Sequence, residues 1–208
     1  RTAFYTTIDT DEVSCDIQYG YIKRPTRRNT SWDMAKYEIC AHKYVDLSDS
    51  DYGVALMNDC KYGYCVKDGM IDMNILRSPS YPGEMADIAE HTFSYALYPH
   101  KHDLAHSDVV KKSYEFNVPM YFGDKIESFI QVTSPNVIVE SVKKAEDGDA
   151  AIVRLYECIG APAVSGITFS KPVKSAYIVD MMEENEKEVD LSQIHFGGFE
   201  IHTLKVTF

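Results

Sequence analysis

Two short polar runs hold the side chains most able to do chemistry. Arg24, Arg27, Arg28, Asn29 and Thr30 form a cationic, hydrogen-bonding run that leads into Trp32, the single tryptophan of the chain. Asn58, Asp59, Cys60, Lys61 and Tyr62 form a second run, directly after the apolar stretch 53–57. Guanidinium, amide, ammonium and carboxylate groups of this kind orient hydroxyls. An indole or phenol beside them offers a face on which a sugar ring can stack. The chemistry on offer is binding and positioning, not proton transfer. Two other readings stay open. The arginines could meet a carboxylate on another domain, and Trp32 could be a core anchor beneath the loop.

A third set, His100, His102 and His106 with Asp103, has the donor types of a zinc site. Histidines at i and i+2 of an extended strand point the same way, and His106 could reach them from a first helical turn. The alternative is a hydrophilic loop with incidental histidines. His42 and His91 read as hydrogen-bonded scaffold groups. The acidic run 183–188 has no apolar surround to raise a carboxyl pKa and reads as a solvated hairpin or loop. Neither Cys60 nor Cys65 has a base beside it in sequence, so no thiol nucleophile is inferred.

These residues need a β framework. Ile17, Tyr19 and Tyr21 alternate, as do Tyr37, Ile39 and Ala41, then Ile71, Met73 and Ile75, then Phe93, Tyr95 and Leu97. A period of two marks half-buried strands. Short apolar runs at 53–57, 137–139 and 177–179 fit strands buried on both faces, with Pro, Gly and Asp/Ser turns between them. Phe199 and Ile201 share one phase while Leu204, Val206 and Phe208 take the other, which predicts a bulge or a strand that changes sheet. One short helix is expected near 104–114, capped by Asp103 or Ser107. The fold class expected is all-β: a large antiparallel, supersandwich-like β-sandwich with at most one or two short helices. No repeat or linker divides it, so residues 1–208 read as a single region.

Composition narrows the function classes. A net charge of −11 argues against nucleic-acid binding, which rests on neutralising phosphates. No apolar run approaches the ~18 residues of a membrane span. Five cysteines, odd in number and irregularly spaced, fit a reduced, cytoplasmic setting better than a disulfide framework. The sequon Asn29-Thr30-Ser31 reads better as part of the first polar loop than as a glycan acceptor.

Several ordered segments resemble the C-terminal β-domain of the family 38 glycoside hydrolases, most closely the branch of the cytosolic and bacterial α-mannosidases. They are Arg24-Pro25-Thr26 with Asn29-Thr30-Ser31-Trp32-Asp33, then Ala41-His42-Lys43 with Asp46-Leu47-Ser48, then Asn58-Asp59 with Lys61-Tyr62-Gly63. Leu76-Arg77-Ser78-Pro79, Tyr95-Ala96-Leu97-Tyr98-Pro99-His100, Arg154-Leu155-Tyr156-Glu157 and Phe199-Glu200-Ile201 follow in the family's order. Arg27 stands where a histidine is common, and His202 replaces a basic residue. The resemblance implies a retaining α-mannosidase holding one divalent metal, usually zinc, with two carboxyl groups about 5 Å apart. In that family the nucleophile and metal ligands belong to an N-terminal catalytic domain. The chain begins at Arg1 without a signal-peptide pattern and is expected to be part of a longer polypeptide, inactive alone. Its implied partners are that catalytic domain and a mannose-containing oligosaccharide, with self-association open. The substrate-binding residues expected are Arg24, Arg28, Asn29, Thr30, Trp32, Asn58, Asp59, Lys61 and Tyr62. A free-standing carbohydrate-binding β-sandwich is the rival reading.

Overall fold

A computed structural model describes residues 1–120, 123 and 127–208. The chain packs as two compact units, 1–120 and 121–208, where the sequence showed no linker. Each unit has its own apolar cluster. A division of this kind follows the cores, and needs no Pro- or Gly-rich spacer.

The first unit has nine strands: β1 (Thr2–Tyr5), β2 (Glu12–Ile17), β3 (Gly20–Pro25), β4 (Ile39–Cys40), β5 (Tyr44–Ser48), β6 (Tyr52–Asn58), β7 (Gly63–Lys67), β8 (Met70–Met73) and β9 (Tyr95–Lys101). They form two antiparallel sheets, ordered β1-β8-β7-β4 and β3-β2-β5-β6-β9. Alternate residues point to opposite faces, so one set from each sheet meets in a shared core. Val13, Cys15, Val45, Leu47, Val54 and Leu56 come from one sheet, and Tyr64, Val66, Ile71 and Met73 from the other. Each such side chain contributes about 1.5–3 kcal/mol on burial.

The opposite face of the five-stranded sheet carries polar groups instead. Asp46 is buried and accepts from Ser48 Oγ at 2.6 Å, while His100 Nε2 lies 2.7 Å from its other oxygen. The His100 ring lies over Gly53, where a Cβ would collide with it, so β6 needs glycine there. Helix α2 (Val109–Asn117) lies against β6 and buries Val109, Val110 and Ser113.

The turns refine the sequence expectations. The alternation through Ile17, Tyr19 and Tyr21 spans a hairpin, with Tyr19 at φ 59 in its turn. Tyr37 belongs to no strand. It follows a five-residue helix α1 (Ser31–Ala35) closed by a capping box, in which Thr30 Oγ1 accepts from Asp33 N and Asp33 accepts from Thr30 N. The expected helix near 104–114 forms as a 3-10 turn (Leu104–His106) capped by Asp103, followed by α2.

The second unit contains β10 (Ile130–Val132), β11 (Val137–Lys144), β12 (Ala151–Glu157), β13 (Ala163–Ser165), β14 (Ile167–Phe169), β15 (Ser175–Val179), β16 (Lys187–Glu188), β17 (Ile194–Phe196) and β18 (Ile201–Thr207). A five-stranded sheet, β11-β12-β18-β15-β16, is joined by the pairs β10-β14 and β13-β17. Strand β18 pairs without a register break, and the bulge lies instead in β11 between Val139 and Ser141. The change of phase near Phe199 comes from a turn, where Phe199 takes φ 58. Buried Glu157 braces that turn. Its carboxylate accepts from the backbone N–H groups of Ile159, Gly160, Ala161 and Phe199 at 2.8–3.2 Å. This draws together two of the family-like segments from distant parts of the sequence.

Candidate functional site

The first polar run is dispersed once β3 and α1 form. Arg24 stands opposite Val13 in the ladder, shares its core-facing side and lies against the Cys15 thiol. Its Nε is buried and has no hydrogen-bond partner among the described residues. Arg27 faces Asp11 at 3.5 Å on the surface. The Arg28 guanidinium lies 3.9 Å over the Tyr37 ring and donates to Tyr37 O and Cys65 Sγ. Thr30 is committed to the cap of α1, and Asn29 is exposed. Trp32 is 79% exposed, so it is not the core anchor that was one of its two sequence readings. Its indole is free to stack on a ligand.

The second run builds a concave site. Asn58 is 1% exposed, at the end of β6. Its Nδ2 donates to His42 O at 2.9 Å and to the Tyr64 hydroxyl, and its Oδ1 accepts from Cys60 N and Lys61 N. With all four bonds made, Asn58 shapes the loop and has no capacity left for a ligand. That loop turns Asp59 and Tyr62 outward. Lys61 is placed with its ammonium 4.8 Å over the Phe93 ring.

Asp59, Tyr62 and Asn58 line a pocket of about 460 Å³ with His42 and Lys43, which precede β5. Gln18, Cys40, Cys60 and Asn117 complete its wall. The volume lies within the roughly 300–1,000 Å³ of small-molecule sites. His42, assigned to a strand from sequence, lies in a bend and meets the Tyr62 ring edge-on at 5.4 Å. Lys43 Nζ lies 3.2 Å from buried Asp16 Oδ2 and 4.5 Å over the Tyr114 ring, and the Lys43 amide donates to the same carboxylate. Burial raises the Asp16 carboxyl above its ordinary range, against the pull of Lys43. Asp59 is also raised by desolvation, but hydrogen bonds from Cys60 and Ser94 outweigh this and hold it below its ordinary value. Partial desolvation, then Asp59, push the Cys60 thiol up.

Lys43 and His42 are pocket residues that the sequence does not mark as such, although Ala41-His42-Lys43 is one of the family-like segments. Nothing in that segment shows that the chain bends there and brings it beside the 58–62 loop. Asn117 gave no signal, since only the packing of α2 brings its amide to Asn58 O at 3.1 Å.

The histidine set is only partly brought together. The His100 side chain is buried against Asp46, whereas His102, Asp103 and His106 line an open surface pocket with Ser50, where exposed His106 bonds Asp103 at 2.6 Å. Among the described residues no group of three or more His, Cys, Asp or Glu side chains could hold a metal ion. No helix among them is long and apolar enough to cross a membrane.

Fold and pocket together define a multi-sheet antiparallel β region that presents a polar, aromatic-walled site from strand ends. The glycosyl hydrolases family 38 C-terminal domain matches residues 1–84, and the family's C-terminal beta sandwich domain matches residues 136–204. The chain belongs to glycosyl hydrolase family 38, in its C-terminal part. It is 38% identical over 207 residues to "Alpha-mannosidase G" of Dictyostelium discoideum, covering 91% of this chain and 19% of that protein. It is 35% identical over 220 residues to "Alpha-mannosidase 2C1" of Homo sapiens, covering 98% and 21%. A crystal structure of an alpha-mannosidase from Enterococcus faecalis V583 shares the fold, with TM-score 0.80 and 18% identity over 98% of this chain and 25% of that one. The chain thus spans about a fifth of the length of the curated relatives it matches.

Proposed function

We propose that this chain is the C-terminal β region of a longer, cytoplasmic α-mannosidase, a retaining and metal-dependent glycoside hydrolase acting on α-mannosidic bonds in oligosaccharides. The observation that carries this reading is the pocket built from two family-like segments, at 41–43 and 58–62, on a chain 35–38% identical to named α-mannosidases. In this reading the β region packs on an N-terminal catalytic domain and completes its sugar pocket. Asp59, Lys61, Tyr62, Asn29 and Trp32 orient hydroxyls or stack on rings, and Arg24, Arg28, Thr30 and Asn58 hold the loops that carry them. The contribution is positioning and exclusion of water. The divalent metal and the two carboxyl groups belong to the rest of the polypeptide.

The test is expression of the whole polypeptide beside the 208-residue chain. Aryl α-mannosidase activity should appear only in the former, fall on chelation and return with a divalent metal, and the first product should be the α-anomer. Arg28→Ala in the whole polypeptide should cut kcat/KM about tenfold, on the order of 1.4 kcal/mol. Unchanged kinetics would remove the first loop from the site. A free-standing carbohydrate-binding module is favoured by the exposure of Trp32. A native polypeptide of 23.6 kDa without activity would select it.

A further inference from the structure

A second cavity, of about 90 Å³, lies on the polar face of the five-stranded sheet, between the sheet and the 3-10 turn that follows β9. Every residue lining it belongs to the first unit, so its shape does not depend on the rest of a longer polypeptide. Strand register builds its floor. Val13 and Cys15 of β2 face the core, so Ser14 faces the other way, and the ladders set it beside Lys23 of β3 and Asp46 of β5. Ser14 is 7% exposed, and its hydroxyl makes no hydrogen bond to any described residue. A buried hydroxyl left without a partner is costly, and this one opens onto the cavity.

The groups around Ser14 offer lone pairs and few protons. Ser48 commits its proton to Asp46 at 2.6 Å, so its oxygen can only accept elsewhere. Asp46 and Asp103 are carboxylates with capacity beyond the bonds they take from His100 and His106. Lys23 points outward, 59% exposed, with its ammonium 3.5 Å from Glu12. Charge is nearly balanced. Both ring nitrogens of His100 face acceptors, which suits an imidazolium opposite Asp46, and Lys23 offsets Glu12. Asp103 has only the imidazole of His106, which is no fixed cation. One negative charge is therefore left among hydroxyl and carboxylate oxygens, the setting of a hard, monovalent cation. A divalent ion would call for a denser set of charged ligands, and no group of three or more His, Cys, Asp or Glu side chains gathers among the described residues. The cavity is also far below the roughly 300 Å³ at which small-molecule sites begin.

We propose that this cavity binds one monovalent alkali-metal cation through the oxygens of Ser14, Ser48, Asp46 and Asp103, joining the 3-10 turn to β2 and β5. Such a site exists whether or not the whole polypeptide is an α-mannosidase.

The test uses the 208-residue chain, with choline as a cation too bulky to enter. Potassium or sodium chloride replaces choline chloride at constant total chloride, and thermal unfolding is followed. Above the dissociation constant, each tenfold rise in the bound ion multiplies the folding constant by about ten and raises Tm by about 3–5 °C. Ser14→Ala removes one ligand oxygen together with an unpaired buried hydroxyl. It should fold at least as well as the parent chain in choline and lose most of the dependence on potassium or sodium. Asp103→Asn keeps a side-chain oxygen for the turn, removes the unbalanced charge and should weaken the dependence as well. Equal Tm in potassium, sodium and choline chloride would overturn the proposal and leave the cavity to ordered water. An undiminished dependence in Ser14→Ala or in Asp103→Asn would also overturn it, by placing the ion elsewhere.

Discussion

At the scale of single residues, the same side-chain chemistry serves two purposes, and burial separates them. Asn58 and Asp59 are adjacent and equally polar. Asn58 spends both ends of its amide on Tyr64, His42, Cys60 and Lys61 inside the protein, while Asp59 stands at the surface. Asn58→Ala would orphan the backbone N–H groups of Cys60 and Lys61 and leave the Tyr64 hydroxyl only its bond to Lys61 O, and should cost about 2–3 kcal/mol in urea unfolding. A direct substrate contact would instead raise KM and leave unfolding unchanged. Glu157 is the corresponding case in the second unit. Removing the acceptor of four backbone N–H groups should cost about 3 kcal/mol or more, read as a fall in Tm for Glu157→Ala.

At the scale of elements, buried polar groups tie the strands that carry the pocket. His100 on β9 reaches across Gly53 of β6 to Asp46 on β5. Both ring nitrogens face acceptors, Asp46 Oδ1 at 2.7 Å and Lys101 O at 3.2 Å, which suits the imidazolium. Tyr98 stacks on the ring, and Asp108, bonded to Tyr98, faces it from the start of α2. Desolvation lowers the His100 pKa, but the hydrogen bond and charge of Asp46 outweigh this and raise it above 6.5. A raised folded-state pKa means that the folded protein holds the proton more tightly. The stabilisation is full below about pH 6.5 and fades as pH rises through the raised value. Tm should therefore decline above that pH, and His100→Gln should flatten the decline. That variant should also cost about 3 kcal/mol, because Asp46 is left buried without its cation. An identical Tm–pH profile in His100→Gln would show that the pair does not titrate in this range.

At the scale of the molecule, the cores decide what folds. Residues 1–120 contain both sheets of the first unit and the complete cluster between them. A fragment of residues 1–120 should fold alone, with dispersed amide resonances and with Cys15 and Cys65 closed to alkylation. Burial pushes the Cys15 thiol up to about 12, which adds chemical inertness to its inaccessibility. Rapid labelling of both cysteines in the fragment would show that the cluster is not self-sufficient. Residues 1–84 and 136–204, matched by separate family domains, fall within different units.

The sequence by itself determined the β class, most strand positions and the family, because period-two alternation and ordered segment matches are local properties of the chain. It also marked the 58–62 loop, since a polar run after a buried strand must emerge at a surface. Tertiary structure decided the rest. Only the fold reveals that Asn58 faces inward, that Trp32 faces outward on a capped helix, and that Arg24 shares the core side of β3. Only the bend before β5 and the packing of α2 bring Lys43 and Asn117 to the same pocket as Tyr62. A side chain's role here depends on what lies opposite it in space, and residues distant in sequence supply that surface.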